Sequence, residues 1–229
     1  MLKLENTEIP FSCWEATIRG MRNPLNSWDK IDTNFDILRM HDISDDEAVG
    51  TPNIGEADLA LMKRLAKGGS THAKYRRMIT VYVDITAPLY WWKEFDTYKV
   101  GTVANSCSTM HKIHAKEFVL DDFSVESWIG EDGCMFPVYK YILEELNFAR
   151  ERFIETKNKA YWRRMIQLLP TSYNQKRTVL LNYEVLVGIY RDRRNHKLDE
   201  WHTFCDWIEK MPYSEIIIGE RRKEEGCGN

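Results

Sequence analysis

The chain has 229 residues, of which 43% are hydrophobic and 12% aromatic, enough to bury the core of one large domain or two small ones. Its formal net charge of −3 argues against a dedicated nucleic-acid-binding protein, because phosphate-driven binding requires a basic surplus. Five cysteines form no CxxC pair, so neither a disulfide framework nor a zinc site is predicted.

No targeting or membrane segment is predicted. The N-terminal stretch lacks the apolar centre of a signal peptide, and the sequence contains no run of about 18 apolar residues that would span a bilayer. Together with the irregular cysteine spacing, these observations make the cytoplasm the expected compartment.

The first elements follow from residue periodicity. A short strand and a helix near Cys13 to Met21 are predicted within the first 30 residues. Residues 41–56 are acidic and contain glycine and proline, which is typical of a loop. Apolar residues at helical spacing predict a helix over Glu56 to Lys67, ended by Gly68 and Gly69.

The chain then changes period. Apolar residues alternate with polar ones from Met78 to Thr86, which predicts a strand with one buried face. Ala87-Pro88 would end this strand, and Pro88 can occupy the first turn of a helix that reaches about Val100.

This helix carries an unusual mixture of residues, and two interpretations stay open. In one, Trp91 and Trp92 contact a flat ring while Lys93 and Lys99 meet phosphates. In the other, the tryptophans pack in the core and the charges are solvated. Either interpretation extends through the Ser- and Thr-rich loop to residue 112.

The remaining elements are mostly helical. Residues 116–136 are predicted to be loop-rich, and a long helical region follows over Pro137 to Leu169, with a break around Thr156 to Lys159. What residues 113–160 do stays open, since they could cover a site or build an oligomer interface. The other predicted elements are a turn over Pro170 to Lys176, helices over Leu181 to Arg194 and Leu198 to Lys210, and a polar tail at 221–229.

Three arginines near the end of the penultimate helix cannot share one helical face. At least one of Arg191, Arg193 and Arg194 must point inward or along an interface, where a planar guanidinium suits phosphate or pyrimidine carbonyl oxygens. Alternatively, the cluster is a cationic last turn that complements the helix dipole.

Histidine and cysteine give weaker signals. His111 and His114 lie three residues apart, but no cysteine or carboxylate follows at matching spacing, so no metal site is predicted. Cys107 lies between two serines and could be a nucleophile, but no base is identifiable, and this favours a small packed cysteine.

The order of these features resembles the flavin-dependent thymidylate synthases. In that family, a helix ends in Gly-His-Glu and is followed by an alternating strand, Ala-Pro and a second helix. That helix leads into Arg-His-Arg, two spacers and Ser, then a Ser-rich loop. Here Ser70-Thr71-His72 precedes the strand, and Ala87-Pro88 follows it.

Counting without gaps from Ala87-Pro88 gives the correspondence in the signature motif. Thr97, Tyr98 and Lys99 fall on Arg-His-Arg, Thr102 falls on the following Ser, and Cys107 falls on the second Ser. The motif is therefore altered, because only Lys99 keeps a positive charge. Thr109 also stands where the family has an arginine.

The C-terminal half keeps the family pattern better. Leu169-Pro170, Asn182 and Arg193 have the family's order, with Arg193 eleven positions after Asn182. Glu184 stands where the family prefers arginine. The resemblance covers roughly residues 60–112 and 160–210.

The resemblance implies an α+β fold with a central antiparallel or mixed sheet and flanking helices, formed by a single domain over residues 1–220 with a flexible tail at 221–229. It implies FAD-dependent reductive methylation, or a related modification, of a pyrimidine deoxynucleotide (dUMP). NADPH and methylenetetrahydrofolate would be cosubstrates. Because the family's sites form between subunits, a homotetramer is expected, with no nucleic-acid or membrane partner.

The same resemblance supplies the candidate site residues. Cofactor-binding positions are His72, Tyr98, Lys99, Thr102 and Asn182. Substrate-binding positions are Lys99, Ser106, Cys107, Ser108 and Arg193. No catalytic residue is identified. Two other functions stay open: a nucleotide-binding or regulatory protein that kept the fold and lost the reaction, and a structural module without a small-molecule site.

Overall fold

The computed structural model describes residues 1–35, 52–130 and 136–219. Most of the predicted loop at 41–56 and the whole tail at 221–229 lie outside the described residues. The strands are β1 (Lys3–Glu8), β2 (Thr80–Pro88), β3 (Val103–Ser106) and β4 (Asn174–Asn182). The α-helices are α1 (Phe11–Arg22), α2 (Glu56–Lys67), α3 (Leu89–Phe95), α4 (Pro137–Thr156), α5 (Lys159–Leu168), α6 (Tyr183–Arg193), α7 (Asp199–Glu209) and α8 (Glu215–Ile218).

The strands form one four-stranded sheet in the order β1-β2-β4-β3 within the described residues. Backbone hydrogen bonds run from Leu89 N to Tyr173 O and from Tyr183 N to Ile79 O, so the end of β2 meets the start of β4 and the two strands are antiparallel. The predicted α+β class with a central sheet is confirmed. None of the described helices is both long and apolar enough to cross a bilayer.

Strand β2 follows the predicted alternation. Val81, Val83 and Ile85 are fully buried, whereas Tyr82 between them is 40% exposed. The strand runs two residues further than predicted, because Ala87 and Pro88 belong to it. Pro88 still precedes the first turn of α3, as its fixed φ allows.

Two predicted boundaries were wrong. Helix α3 ends at Phe95, not near Val100, and the Thr97 hydroxyl donates to the Glu94 carbonyl at 2.7 Å where the chain turns. The predicted turn over Pro170 to Lys176 runs into β4, which begins at Asn174. The predicted break between the long helices is confirmed: α4 ends at Thr156, its C-cap residue Lys157 has a φ of +55°, and Asn158 caps α5.

By its internal contacts the chain divides into two compact units. The first unit contains residues 1–3, 85–97 and 105–178, and the second contains the described parts of 4–84, 98–104 and 179–229. The single-domain boundary at residue 220 stays a prediction.

The first unit buries the aromatic helix that the sequence left ambiguous. Trp91 and Trp92 of α3 are buried, with ring centres 5.0 Å apart. The Trp92 indole N–H donates to the Gln175 carbonyl at 2.9 Å, and the Arg177 guanidinium lies 4.0 Å from the Trp92 ring centre. The tryptophans are therefore core residues that bind α3 to β4, and the interpretation of this helix as a ligand wall is wrong for both.

A second part of the same unit packs around α4 and α5. Its buried residues are Ile113, Phe118, Phe123, Val125, Tyr139, Leu146, Ala149 and Met165. Residues 113–160, whose role the sequence left open, thus supply much of the core of this unit.

The second unit is built around α1, α2, α6 and α7. Its largest fully buried side chains are Trp14, Ile18, Met62, Tyr183, Trp201 and Phe204. Tyr183 opens α6 and donates its hydroxyl proton to the Pro212 carbonyl at 2.7 Å. Buried aromatic groups of this size supply most of the hydrophobic stabilisation of such a unit.

A buried ion pair ties α1 to α2. Asp58 is fully buried and lies 2.6 Å from Arg22 Nη2 and 2.7 Å from Arg22 Nε. Its other oxygen accepts the backbone N–H groups of Asp32 and Thr33 and the Thr33 hydroxyl, at 3.1, 3.0 and 2.7 Å. The carboxylate thus organises the segment that precedes α2.

Asp58→Asn should destabilise the chain by about 3–5 kcal/mol, because it leaves the buried Arg22 guanidinium without its counter-charge. Urea unfolding measures the change in free energy of unfolding. Asp29→Asn is the matched control at an exposed position, and its effect should stay within about 0.5 kcal/mol. Equal effects of the two substitutions would contradict the role given to Asp58.

Candidate functional site

The junction between β4 and α6 positions the candidate site in the second unit. Asn182 ends the strand in an extended conformation, and its side-chain oxygen accepts the Val185 N–H at 3.1 Å. This bond satisfies one of the free N–H groups of the first helical turn. Asn182 thereby fixes where α6 begins and which way its side chains point.

The loop at 98–104 lies against this junction. Gly101 has a φ of +82°, and a Cβ at this position would lie 2.9 Å from Nδ2 of Asn182 and 3.1 Å from Cγ2 of Val185. Glycine is required here for its backbone conformation and for the close approach. Within the loop, the Thr102 hydroxyl donates to the Tyr98 carbonyl.

At the far end of α6, Arg193 turns toward this loop. Its Nε donates to the Tyr98 hydroxyl at 2.9 Å, and its guanidinium lies 4.8 Å from the Trp201 ring centre. Arg191 is exposed, while Arg194 forms an ion pair of 2.6 Å with Asp206. The prediction that the three arginines point in different directions is confirmed.

Tyr98, Thr102, Asn182 and Arg193 are therefore brought together by contacts along the 98–104 loop. Two other predicted residues of the second unit take no part in these contacts. Lys99 is exposed. His72 is also exposed, and its backbone N–H donates to the Gly69 carbonyl at 3.0 Å.

Three predicted substrate-binding residues, Ser106, Cys107 and Ser108, belong to the first unit. The Cys107 backbone N–H donates to the Lys176 carbonyl at 2.9 Å, and the Ser108 hydroxyl accepts the His111 N–H at 2.9 Å. The side chain of Cys107 is exposed, so the expectation of a packed cysteine was wrong. Among the described residues, no group of three or more histidines, cysteines and carboxylates is placed to hold a metal ion.

A cavity of about 660 Å³ lies entirely within the second unit. Its volume is in the range of small-molecule sites. The lining residues come from α2 and the loop after it, from α6, and from α8 and its end. They are Lys63, Ala66, Lys67, Gly69, Ser70, Arg76, Glu184, Val187, Tyr190, Arg191, Glu215, Ile217, Ile218 and Gly219.

The cavity has an excess of positive charge. Four cationic and two carboxylate side chains line it, which leaves two net positive charges. Lys63 forms a long ion pair of 3.4 Å with Glu215, and both side chains are one-third exposed. Such a partly exposed pair contributes little to stability, so Lys63 can exchange its partner for an anionic ligand.

Two charged groups of the cavity are more deeply buried. Arg76 is 7% exposed, and its Nη1 lies 3.6 Å from Oε2 of Glu184. Arg76 Nε and Glu184 Oε2 are buried atoms without a hydrogen-bond partner among the described residues. Unsatisfied buried atoms of this kind mark a place where a ligand can supply the missing bonds.

Tyr190 lines the cavity with an uncharged side chain. Burial, assisted by the hydrogen bond that its hydroxyl donates to Glu209 at 2.7 Å, raises the pKa of Tyr190 to about 12. The phenol therefore stays protonated at neutral pH and adds no negative charge.

None of the residues predicted from the resemblance lines this cavity, but their neighbours in sequence do. Ser70 precedes His72 by two residues, Glu184 follows Asn182 by two, and Arg191 precedes Arg193 by two. Sequence reasoning missed Arg76, which stands in a basic run within a short 3-10 helix, Lys74–Met78. The sequence offered one signal for this cavity: Glu184 stands where the family prefers arginine.

The chain was compared with known proteins by sequence and by structure. No protein-family model matches the sequence, and no curated protein matches it. Two crystal structures of thymidylate synthase X, a flavin-dependent enzyme from Helicobacter pylori solved with FAD and dUMP, match 94% of this chain. They are 14% identical to it, with TM-scores of 0.60 and 0.61 over 94% and 95% of their own chains.

A third match is the UMP/dUMP methylase PolB from Streptomyces cacaoi, solved with 5-Br dUMP. It is 14% identical, with a TM-score of 0.54 over 94% of this chain and 93% of its own. The fold is that of the flavin-dependent thymidylate synthases. The fold that the sequence resemblance implied is thus confirmed.

In this thymidylate synthase X fold, the close approach of Gly101 to Asn182 can be tested against a matched glycine. Gly69 has a φ of +85°, and a Cβ added there would meet nothing within 4 Å. Gly69→Ala should cost about 1–2 kcal/mol from backbone strain alone. Gly101→Ala should cost about 1–3 kcal/mol more, because its Cβ also collides with Asn182 and Val185. Equal losses in urea unfolding would show that the contact with the junction is unimportant.

Proposed function

We propose that this chain binds FAD and a pyrimidine deoxynucleotide, and that it reductively methylates that nucleotide or carries out a related modification. The observation that carries the proposal is the positively charged cavity beside α6. It occurs in a fold whose solved examples from Helicobacter pylori hold FAD and dUMP. Charge-assisted bonds to phosphate groups are the expected use of such cations.

The cavity residues fit a flavin dinucleotide. A pyrophosphate requires cationic partners, which Lys67 and Arg191 supply at the cavity wall.

The residues predicted from the resemblance keep their roles as part of this proposal. His72, Tyr98, Lys99, Thr102 and Asn182 are assigned to the flavin. Three of them, Tyr98, Thr102 and Asn182, lie in or against the 98–104 loop.

The predicted substrate-binding residues also remain proposals, each within its own unit: Lys99 and Arg193 in the second, and Ser106, Cys107 and Ser108 in the first. A homotetramer, implied by the resemblance, would add residues from other copies of the chain.

The reaction requires a carbon donor and a reductant. Methylenetetrahydrofolate would supply the carbon that replaces the hydrogen at C5 of the pyrimidine, and that hydrogen leaves as a proton. A bound flavin would supply the hydride, taken from NADPH. The protein's own contribution is to neutralise the phosphates, to orient both rings and to limit access of water.

A second candidate function has its own observation. Tyr98 stands where the family has histidine, and its hydroxyl accepts the Nε–H of Arg193. A guanidinium held in this way can still meet a nucleotide, but the altered motif supplies fewer charges for a flavin pyrophosphate. A protein with this site that binds a nucleotide without the flavin would be a regulatory relative of the enzymes.

An absorbance spectrum of the desalted protein, recorded with and without added FAD, separates the two functions. We expect a flavin band that stays with the protein and turnover of dUMP when NADPH and methylenetetrahydrofolate are supplied. Nucleotide binding with no retained flavin would favour the regulatory function. Binding of neither ligand would contradict both.

Arg193→Ala should weaken dUMP binding by about tenfold or more, because a charged hydrogen bond contributes about 1.5–3 kcal/mol. Isothermal titration calorimetry measures the affinity, and circular dichroism checks that the helices survive the loss of the Tyr98 and Trp201 contacts. Arg163→Ala, at an exposed position of α5, is the matched control. Unchanged dUMP affinity in the Arg193 variant would remove this residue from the site.

A further inference from the structure

We propose that Arg76 and Glu184 together recognise the imide edge of a ring, meaning adjacent ring N–H and C=O groups. The pair would set the ligand specificity of the cavity. This inference rests on the proposed function, because it names the chemical group that the same cavity selects.

Arg76 and Glu184 each have a buried polar atom without a hydrogen-bond partner among the described residues. Arg76 is over nine-tenths buried and lines the cavity with Glu184. Their closest charged atoms lie 3.6 Å apart, within ion-pair distance but longer than a good hydrogen bond. Arg76 Nε remains a donor without an acceptor, and Glu184 Oε2 remains an acceptor without a donor, among the described residues.

Arg76 and Glu184 both belong to elements that are fixed by hydrogen bonds. Arg76 follows Tyr75, which is buried and donates its hydroxyl proton to the Met62 carbonyl at 2.8 Å. Glu184 is in the first turn of α6, whose start is fixed by the Asn182 cap. A recognition pair must be held in place before the ligand arrives, and these contacts hold it.

The opposite charges of Arg76 and Glu184 favour a neutral ligand group. An anionic group at this point would satisfy Arg76 but would be repelled by Glu184, and a cationic group would meet the opposite conflict. A neutral group that accepts from Arg76 and donates to Glu184 satisfies both at once. An adjacent ring C=O and N–H has this arrangement, and the phosphates are left to Lys67 and Arg191 at the wall.

Two ligands of the proposed function carry an imide edge: the uracil of dUMP and the pyrimidine end of the flavin. The two sources are distinguished by methylating N3, which removes the ring N–H and leaves the ring and its phosphates in place. We would titrate the full chain with dUMP, with FAD and with the N3-methyl analogue of each, following binding by calorimetry.

For the ligand that the pair recognises, N3-methylation should weaken binding by about tenfold or more, because the buried Oε2 of Glu184 would then stay without a donor. The other ligand should lose little. Binding of both parents without any preference over their analogues would overturn this inference and leave the proposed function standing. Failure of both dUMP and FAD to bind would overturn the two together.

Variants test the same assignment independently. Arg76→Lys keeps the charge but removes the planar fork, and Glu184→Gln keeps the shape but removes the charge. Each should lower the affinity for the recognised parent ligand while changing that of its N3-methyl analogue little, so the preference shrinks. Glu151→Gln, at an exposed position of α4, is the control. A preference that persists in both cavity variants would place the imide edge elsewhere.

Discussion

The cap that Asn182 places on α6 is the local constraint on which the candidate site depends. One side-chain bond, from the Val185 N–H to Asn182, fixes the residue at which the strand becomes a helix. From that point the helical repeat sets the direction of each side chain along α6. Glu184 and Arg191, seven residues apart, lie on the side of the cavity, whereas Arg193 turns toward Tyr98. A start displaced by one residue would rotate each of these groups by about 100°.

The 98–104 loop lies against the Asn182 cap and has a glycine at the contact. Gly101 lies so close to Asn182 that no side chain fits between them, and its positive φ lets the chain turn there without strain. The same turn places Tyr98 within hydrogen-bond reach of Arg193. The loop therefore contacts both ends of α6, through Gly101 at its start and through Tyr98 near its end.

Much of the fold could be predicted because its signals are local. The alternation in β2, the glycines after α2 and the interruption between α4 and α5 each follow from one residue type at one spacing. Strand β4 was not predicted, because its first residues are polar and follow a proline, which is typical of a turn. Its pairing with β2 is a long-range contact, and no local pattern indicates it.

The site was harder to predict for the same reason. Arg76 lies in a basic run that is ordinarily solvated, and only tertiary packing shows that it is buried beside Glu184. Trp91 and Trp92 left two interpretations open, because an aromatic pair among charges also has the composition of a ligand wall. Their neighbours on β4, Gln175 and Arg177, explain the mixture instead: one accepts an indole N–H and the other covers a ring.

The charges of the cavity bear on the altered signature motif. By the resemblance, Thr97 and Tyr98 replace a cation and a histidine, which would leave an anionic ligand short of charge. The cavity supplies positive charge from other elements, with Lys67 on α2 and Arg191 on α6. Under the proposed function, the phosphates lie beside these two cations, and the loss of charge at the motif is then offset. What is not offset is the geometry of the Arg-His-Arg contacts, because a lysine ammonium lacks the planar fork of arginine. Under the proposed function, the positive charge that an anionic nucleotide requires is therefore better preserved than the contacts that the resemblance implies for the flavin.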